Sequence, residues 1–194
     1  MLILLDNGHG IETPGKRSPI WKDGRQLFEY KFNRNIVRKI AEELQRCGIK
    51  YKVIVPELND ISLRERCDRV NKICASNGDE NVRLISVHSN AGGGTGFEAY
   101  TSRGVTKADR MATIIYEEAE KTLAGFKMRK DWTDGDADKE AGFYILKHTG
   151  CPSVLTENLF MDNKKDCDFL MSENGKQKIA NFHVNAIKRM NKAY

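Results

Sequence analysis

Two histidines and a glutamate stand where three apolar runs end. His9 follows "LILLDNG" and lies between Gly8 and Gly10, His88 follows "VRLISV", and Glu157 follows "PSVLT". Neutral imidazole is a common zinc ligand. A carboxylate beside a metal ion can take a proton from attacking water. These residue types indicate metal-assisted hydrolysis if the fold brings the three side chains together.

A hydrolytic zinc site usually has a third protein ligand and leaves its fourth position to water. Glu29, in "GRQLFEYKFN" at the start of a predicted helix, is the candidate. A glutamate in a first helical turn also stabilises the helix by about 0.3–1 kcal/mol, and spacing alone favours that structural role. Glu98 and Glu12 are alternatives because they lie near the histidines in sequence, and Glu98 ranks above Glu12.

Three polar residues close to these positions are expected to support the ligands or to contact substrate: Asp6, Asn90 and Asn158. Metal-bound imidazoles commonly donate their second ring nitrogen to a carboxylate, which suits Asp6. A turn residue that ends the strand is an equally good interpretation of Asp6.

The remaining histidines and one tryptophan receive structural interpretations. His148 is predicted to lie in a loop, where it is also available to hold substrate. His183 is predicted to lie on the last helix, either at the surface or packed in the core. Trp132 lies in a polar segment over 127–141 that is predicted to be a surface loop. Packing of its ring on the core is the more frequent outcome for tryptophan, and contact with a sugar or peptide is the alternative.

Apolar runs alternate with amphipathic stretches along the chain. The patterns predict strands over 2–5, 51–55, 82–87, 96–101, 143–146 and 153–156. Helices are predicted over 30–47, from Ser62, and over 106–123, 162–170 and 175–190. This alternation indicates an α/β fold with three layers, in which helices cover both faces of a twisted, mostly parallel sheet of about six strands. The carboxyl ends of parallel strands share one edge, so His9, His88 and Glu157 are expected to meet there.

Length and composition narrow the classes of protein. The 194 residues, with 40% hydrophobic and 30% charged, suit one domain over 1–194 without a repeat or linker. No apolar run approaches the roughly 18 residues that cross a membrane, and the first residues lack the pattern of a signal peptide. The net charge of +5 is spread along the chain, so no nucleic-acid partner is expected. The five cysteines show no CxxC spacing, which indicates buried thiols and excludes a thiolate zinc site.

Four motifs together carry a resemblance to a known family: "LLDNGHG", "LFEYKFN", "ISVHSNA" and "PSVLTENLFMDN". In this order the chain resembles the zinc-dependent N-acetylmuramoyl-L-alanine amidases of the Amidase_3 family, and within it the phage endolysin-like branch. The resemblance implies that His9, Glu29 and His88 bind Zn²⁺ and that Glu157 is the catalytic acid and base. It also implies peptidoglycan as substrate, cut at the amide between N-acetylmuramic acid and L-alanine, as in autolysins and endolysins.

Two departures from the family pattern bear on substrate preference. Ile11 stands where many members have glycine, and "ETPGKRSPIWKDGR" differs from the common secreted enzymes. A zinc peptidase or amidase acting on another amide, and a non-catalytic wall-binding module, are the alternative functions. The implied substrate and the lack of a signal-peptide pattern together predict a protein that is made in the cytoplasm and acts on the cell wall. A phage or prophage lysin fits this prediction, and so does a chain that lacks its leader.

Overall fold

The computed structural model describes residues 1–193, and its centre is one six-stranded sheet. The strands are β1 (Leu2–Asn7), β2 (Tyr51–Val53), β3 (Val82–Asn90), β4 (Glu98–Thr101), β5 (Lys139–Glu140) and β6 (Ser153–Phe160). Their order across the sheet is β2-β1-β3-β6-β4-β5. Neighbouring strands run parallel except β4 and β6, which are antiparallel. The prediction of a mostly parallel sheet is confirmed.

Helices cover both faces of this sheet. They are α1 (Glu29–Arg46), α2 (Leu63–Asn77), α3 (Lys107–Thr122), α4 (Tyr144–Lys147), α5 (Lys164–Met171) and α6 (Glu173–Ala193). The larger apolar core joins α1, α3 and α6 to one face, and a smaller core joins α2 and α4 to the other. The three-layer α/β prediction is therefore confirmed. No helix in the described range 1–193 is long and apolar enough to cross a membrane.

The alternation of side chains along each strand decides which residues lie on the face of the sheet that α2 and α4 cover. Leu4, Leu84 and Leu155 belong to the smaller core under α2 and α4. Successive side chains of a strand point to opposite faces, so residues two or four positions further along share a face. His88 and Glu157 therefore emerge on the face that only two helices cover, near the carboxyl ends of their strands.

Local signals in the sequence set the helix ends. Gly48, with a φ of 66°, follows α1 in the left-handed conformation that glycine adopts without a Cβ clash. Ser62 caps α2 by accepting a hydrogen bond from the backbone N–H of Glu65, as the sequence predicts. Thr106 and Asp109 form a reciprocal capping box at α3. All five cysteines are free thiols; Cys47 is exposed and the other four are buried.

The strand predicted over 143–146 is wrong, because this segment forms α4. A four-residue apolar run has no periodicity that separates helix from strand. The segment lies over the face of the sheet rather than beside its edge, where a strand finds no partner for its backbone groups. The helix satisfies those groups internally and still buries Ile145 and Leu146 in the smaller core.

Two other predictions need correction. β3 and β6 extend beyond the predicted ends, so His88 and Glu157 lie within strands rather than after them. The segment over 127–141 is not wholly a surface loop, because it contains β5 and two buried residues, Ala137 and Asp138. Pairing of β5 with β4 supplies the sixth strand that 143–146 was predicted to form.

Candidate metal centre

The carboxylate of Glu29 lies between two histidine rings at the carboxyl end of the sheet. Its Oε1 is 3.3 Å from His9 Nε2 and 3.2 Å from His88 Nδ1. The ligand atoms of the three residues all lie within 4.8 Å of one another. Ligands held tetrahedrally at about 2.0–2.1 Å from zinc are about 3.4 Å apart. The cluster thus has the donor types and spacing of a zinc site.

His9 is held in an unusual backbone conformation. Its φ of 64° lies in the left-handed region, which costs a residue with a side chain about 1–3 kcal/mol. Two arginines bind its carbonyl oxygen: Arg34 Nη1 at 2.8 Å and Arg66 Nη2 at 3.4 Å. These contacts fix the turn that aims the imidazole at Glu29.

The glycines beside His9 provide space for neighbouring groups. A Cβ at Gly8 would lie 2.1 Å from the ring of His88, and one at Gly10 would lie 2.1 Å from the backbone nitrogen of Asp60. Each contact is too short for any side chain. Gly8 therefore lets the second imidazole lie against the first strand, and Gly10 lets the chain at Asp60 pass beneath the turn.

Glu29 is the first residue of α1 and is 1% exposed. Burial alone would raise the pKa of Glu29, but hydrogen bonds to His88 and His9 outweigh it and hold that pKa well below its ordinary value. Its Oε1 also accepts a hydrogen bond from the backbone of Ser89 at 3.1 Å. Its Oε2 is buried and has no hydrogen-bond partner among the described residues. An ionised carboxylate with a free buried oxygen, facing two imidazoles, fits a divalent cation such as zinc.

Glu157 lies beside His88 in the regular pairing of β6 with β3, and a bulge in β6 follows directly. These two residues are paired in register, and Asn90 pairs with Phe160, so β6 has one extra residue in between. Leu159 within the bulge has a φ of 63°. The amide of Asn158 stabilises the bulge by donating a 2.9 Å hydrogen bond to the carbonyl of His88.

Glu157 has the electrostatics of a group that exchanges protons near neutral pH. Burial raises its pKa to about 7, opposed by the attraction of His88 and supported by the repulsion of Glu29. Its Oε2 has no hydrogen-bond partner among residues 1–193. Glu157 is thus close to the cluster without belonging to it.

A cavity of about 390 Å³ opens above the cluster. His9, His88 and Glu157 lie at its base. Its walls come from α2, α4 and the loops around them: Lys16, Ile61, Leu63, Phe143 and Tyr144. The wall combines aromatic and aliphatic side chains with charged ones, which include Lys16 and Asp60, and such a mixed lining is usual for a binding site.

Comparison with known proteins places the chain in a family. Residues 3–189 match Amidase_3, described as N-acetylmuramoyl-L-alanine amidase. The chain belongs to the Amidase_3 family. It is 36% identical over 190 residues to the N-acetylmuramoyl-L-alanine amidase CwlM of Bacillus licheniformis, covering 96% of this chain and 67% of that protein. It is 32% identical over 188 residues to the endolysin of Bacillus phage SPP1, covering 96% and 64%. The chain thus spans about two thirds of the length of these relatives.

Solved structures of N-acetylmuramoyl-L-alanine amidases and of an endolysin catalytic domain share the fold. The N-acetylmuramoyl-L-alanine amidase of Clostridium difficile 630 superposes with a TM-score of 0.80 at 21% identity, over 98% of this chain and 96% of that one. The catalytic domain of the CD27L endolysin, which targets Clostridia difficile, gives 0.68 at 27% identity and covers 97% of each chain. The overall α/β fold of this chain is therefore shared with an amidase and an endolysin of known structure.

Within this Amidase_3 chain, the polar residues flanking the cluster support other groups. Asp6 binds Arg66 Nη1 at 2.6 Å and accepts a hydrogen bond from Ser86, so it reaches His9 only through the arginine. The amide of Asn90 donates to Glu98. Asn158 is fully buried under the strand pair, where its amide holds the backbone rather than facing the cavity.

Neither alternative carboxylate joins the two histidines. Glu12 accepts a hydrogen bond from the backbone of Asp60 at 2.9 Å. Glu98 is buried in ion pairs with Arg129 and Lys139, each at 2.7 Å. Of the three glutamates that the sequence leaves open, the fold brings only Glu29 between the rings.

The spare histidines and Trp132 lie away from the cluster. His148 is exposed and its ring stacks on that of Tyr144. His183 is fully buried, as one of its two interpretations predicts; its Nδ1 donates to the carbonyl of Ile179 at 2.8 Å, and burial lowers its pKa to about 4. Trp132 is 64% exposed, so the prediction that its ring packs on the core is wrong. Lys130 lies over that ring instead and keeps it at the surface.

Sequence reasoning missed two features of the site: the two arginines that bind the carbonyl oxygen of His9, and the apolar wall of the cavity. Arg34 follows Glu29 by five residues on α1, and Arg66 lies on α2. Nothing in the local sequence distinguishes Arg34 from a solvated helix residue. A signal for Arg66 is its place on the buried side of an amphipathic helix, among Val70 and Cys74, where an arginine needs a partner.

Proposed function

We propose that the chain hydrolyses the amide between N-acetylmuramic acid and L-alanine in peptidoglycan, with Zn²⁺ as its metal. The observation that carries the proposal is the spacing of His9, Glu29 and His88, about that of tetrahedral zinc ligands, with Glu157 unpaired beside them. Membership of the Amidase_3 family supports the reaction and the substrate. Residues 1–194 would then form one catalytic domain.

His9, Glu29 and His88 are the proposed zinc ligands. Glu29 is ionised in the folded protein because both imidazoles favour its charged form, so it contributes a negative charge to a divalent cation. Zinc held there supplies a Lewis acid that lowers the pKa of water and polarises the amide carbonyl. The side chains of His9 and His88 are 17% and 16% exposed, which leaves the site open on the cavity side.

Glu157 is the proposed general base and then general acid. Its carboxylate takes a proton from the attacking water and delivers it to the leaving nitrogen, because amide nitrogen leaves only when protonated. A pKa of about 7 suits a group that must be ionised to accept the proton and protonated to return it. Its Oε2 is free of other hydrogen bonds for both steps.

The cavity wall suits a muramyl peptide. Phe143 and Tyr144 are each 38% exposed and offer ring faces for a sugar or peptide. Lys16 lines the same cavity and offers a positive charge to the carboxylates of a stem peptide. The relatives named endolysin and N-acetylmuramoyl-L-alanine amidase support the cell wall as the place of action.

Product analysis on purified muropeptides tests the proposal. We expect new L-alanine amino termini and intact glycan, loss of reaction in chelator, and recovery when Zn²⁺ is restored. Amino termini at another residue would instead support a peptidase or an amidase for a different bond. If the zinc-loaded protein binds cell walls and muropeptides yet releases no amine, the result would support a non-catalytic binding module.

A pair of variants tests in the same assay whether Tyr144 contacts the substrate. Tyr144→Ala removes a ring from the cavity wall and is expected to raise KM more than it lowers kcat, because the ring touches substrate and not the reacting atoms. His148→Ala removes the exposed ring that stacks on Tyr144 and serves as its control. Equal effects from both variants would contradict substrate contact by Tyr144.

A further inference from the structure

Three aspartates form a second cluster of carboxylates elsewhere in the molecule. Asp109 belongs to the first turn of α3, and Asp136 and Asp138 lie in the segment that leads into β5. One carboxylate oxygen from each lies within 4.8 Å of those of the other two. The cluster shares no residue with the His9–Glu29–His88 site.

Asp138 is the buried member and has an oxygen without a partner. It is 2% exposed, and its Oδ2 accepts a 2.6 Å hydrogen bond from the hydroxyl of Thr101. Its Oδ1 is buried with no hydrogen-bond partner among the described residues. A buried carboxylate oxygen left without any donor is costly unless a cation or a proton reaches it.

The other two carboxylates keep acceptor capacity as well. Asp109 accepts hydrogen bonds from the backbone and hydroxyl of Thr106, and Asp136 accepts one from the backbone of Asp138 at 3.3 Å. A carboxylate accepts about four hydrogen bonds in total. Burial raises the pKa of Asp138 to about 7, supported by a hydrogen bond that its protonated form makes with Asp136 and by the negative charges of Asp136 and Asp109.

We propose that Asp109, Asp136 and Asp138 bind a calcium ion. Calcium takes carboxylate and carbonyl oxygens at about 2.3–2.6 Å, so oxygens on opposite sides of one ion are about 5 Å apart at most. The three aspartate oxygens meet that limit. Magnesium binds at about 2.0–2.1 Å in a strict octahedron. Ligands that come from α3 and from the segment before β5 suit the more flexible coordination geometry of calcium better.

A cavity of about 240 Å³ lies against Asp138. Acidic residues Asp131, Asp134 and Glu140 line it together with Arg103. The ion would join the segment before β5 to the first turn of α3 and, through Thr101, to the end of β4. Its expected effect is therefore on the stability of this corner of the sheet.

Calorimetric titration of the zinc-loaded protein with CaCl₂ tests the site directly. We expect one Ca²⁺ per chain, and a rise in Tm of about 5 °C at saturating Ca²⁺. Asp138→Asn and Asp136→Asn are each expected to weaken Ca²⁺ binding at least about tenfold. Asp136 is half-buried, so its variant keeps the test valid if Asp138→Asn does not fold.

Two controls make the result specific. Asp68→Asn makes the same charge change at an exposed position on α2 and is expected to bind Ca²⁺ like the wild type. Glu29→Gln alters the proposed zinc site and is expected to leave Ca²⁺ binding unchanged. No Ca²⁺ binding by the wild type, undiminished binding by both aspartate variants, loss of binding in Glu29→Gln, or an equal response to MgCl₂ would each overturn the proposal.

Discussion

Glu98 and Glu157 face each other across β4 and β6, yet their surroundings are opposite. The two residues are paired in the antiparallel register, so their side chains share one face of the sheet. Glu98 binds Arg129 and Lys139 at 2.7 Å each and accepts a hydrogen bond from Tyr100 at 3.0 Å. Burial raises the pKa of Glu98, but these partners outweigh it and the net shift is downward.

Glu157 has none of these partners in the described part of the chain, and its pKa is raised to about 7. It lies in the cavity that His88 also lines, whereas Glu98 is 2% exposed. On these two neighbouring strands, ion pairs compensate the negative charge of Glu98. Glu157 has no such ion pair, and its pKa is raised. The difference indicates that residue type and burial do not identify a catalytic carboxylate, whereas missing partners beside a reactive group do.

The Glu157→Gln variant tests the difference between the two glutamates most strongly. We expect hydrolysis of muropeptide to fall at least about 10³-fold, because glutamine has the shape of glutamate but cannot take a proton. Stability in urea is expected to stay the same or rise, since an unpaired buried carboxylate is removed. Activity within a few-fold of wild type would contradict the assigned role.

Glu98→Gln is the matched substitution on the neighbouring strand. It leaves Arg129 and Lys139 without their carboxylate, and we expect the free energy of unfolding to fall by about 2 kcal/mol. Hydrolysis by the folded protein is expected to change far less than in Glu157→Gln. Urea unfolding and muropeptide assays on both variants make the measurement; a large loss of kcat in Glu98→Gln with unchanged stability would contradict it.

The pH dependence of hydrolysis gives a third distinction. Glu157 must be ionised to accept a proton, so kcat/KM is expected to fall as the pH drops through the pKa of Glu157. That pKa is about 7 in the metal-free site, and the positive charge of zinc lowers it. The acid limb of the zinc-loaded enzyme is therefore expected below pH 7, and an acid limb above pH 8 would be inconsistent with this base.

The smallest expected effect links the two glutamates. The negative charge of Glu98 is among the causes that raise the pKa of Glu157. Glu98→Gln is therefore expected to move the acid limb of kcat/KM slightly to lower pH. Tyr100→Phe removes a hydrogen bond to Glu98 without changing charge and serves as the control; a shift to higher pH in Glu98→Gln would contradict this coupling.

The sequence predicted the edge of the sheet at which the site lies. Three apolar runs that each end in a polar residue suffice to place His9, His88 and Glu157 together, because parallel strands present their carboxyl ends on one side. The alternation of apolar runs with amphipathic stretches, which predicts strands alternating with helices, also predicted the layers. These inferences depend only on local pattern and on the geometry of parallel sheets.

The local sequence pattern did not predict which distant residues contact the candidate site residues. Spacing did not separate Glu29 from Glu98, because their different roles depend on Arg129 and Lys139, which are distant in sequence. The bulge at Leu159 likewise depends on how two strands pair. The short run over 143–146 has no periodicity that separates helix from strand, and its place over the sheet favours α4.

The zinc content of the Glu157→Gln protein, measured beside its activity on muropeptides, tests the central claim most directly. We predict about one zinc per chain, as in the wild type, together with loss of hydrolysis. Glu29→Gln is predicted to lose zinc and activity together. A Glu157→Gln protein that loses zinc, or that keeps both zinc and full activity, would contradict the assignment of His9, Glu29 and His88 as ligands and Glu157 as the proton carrier.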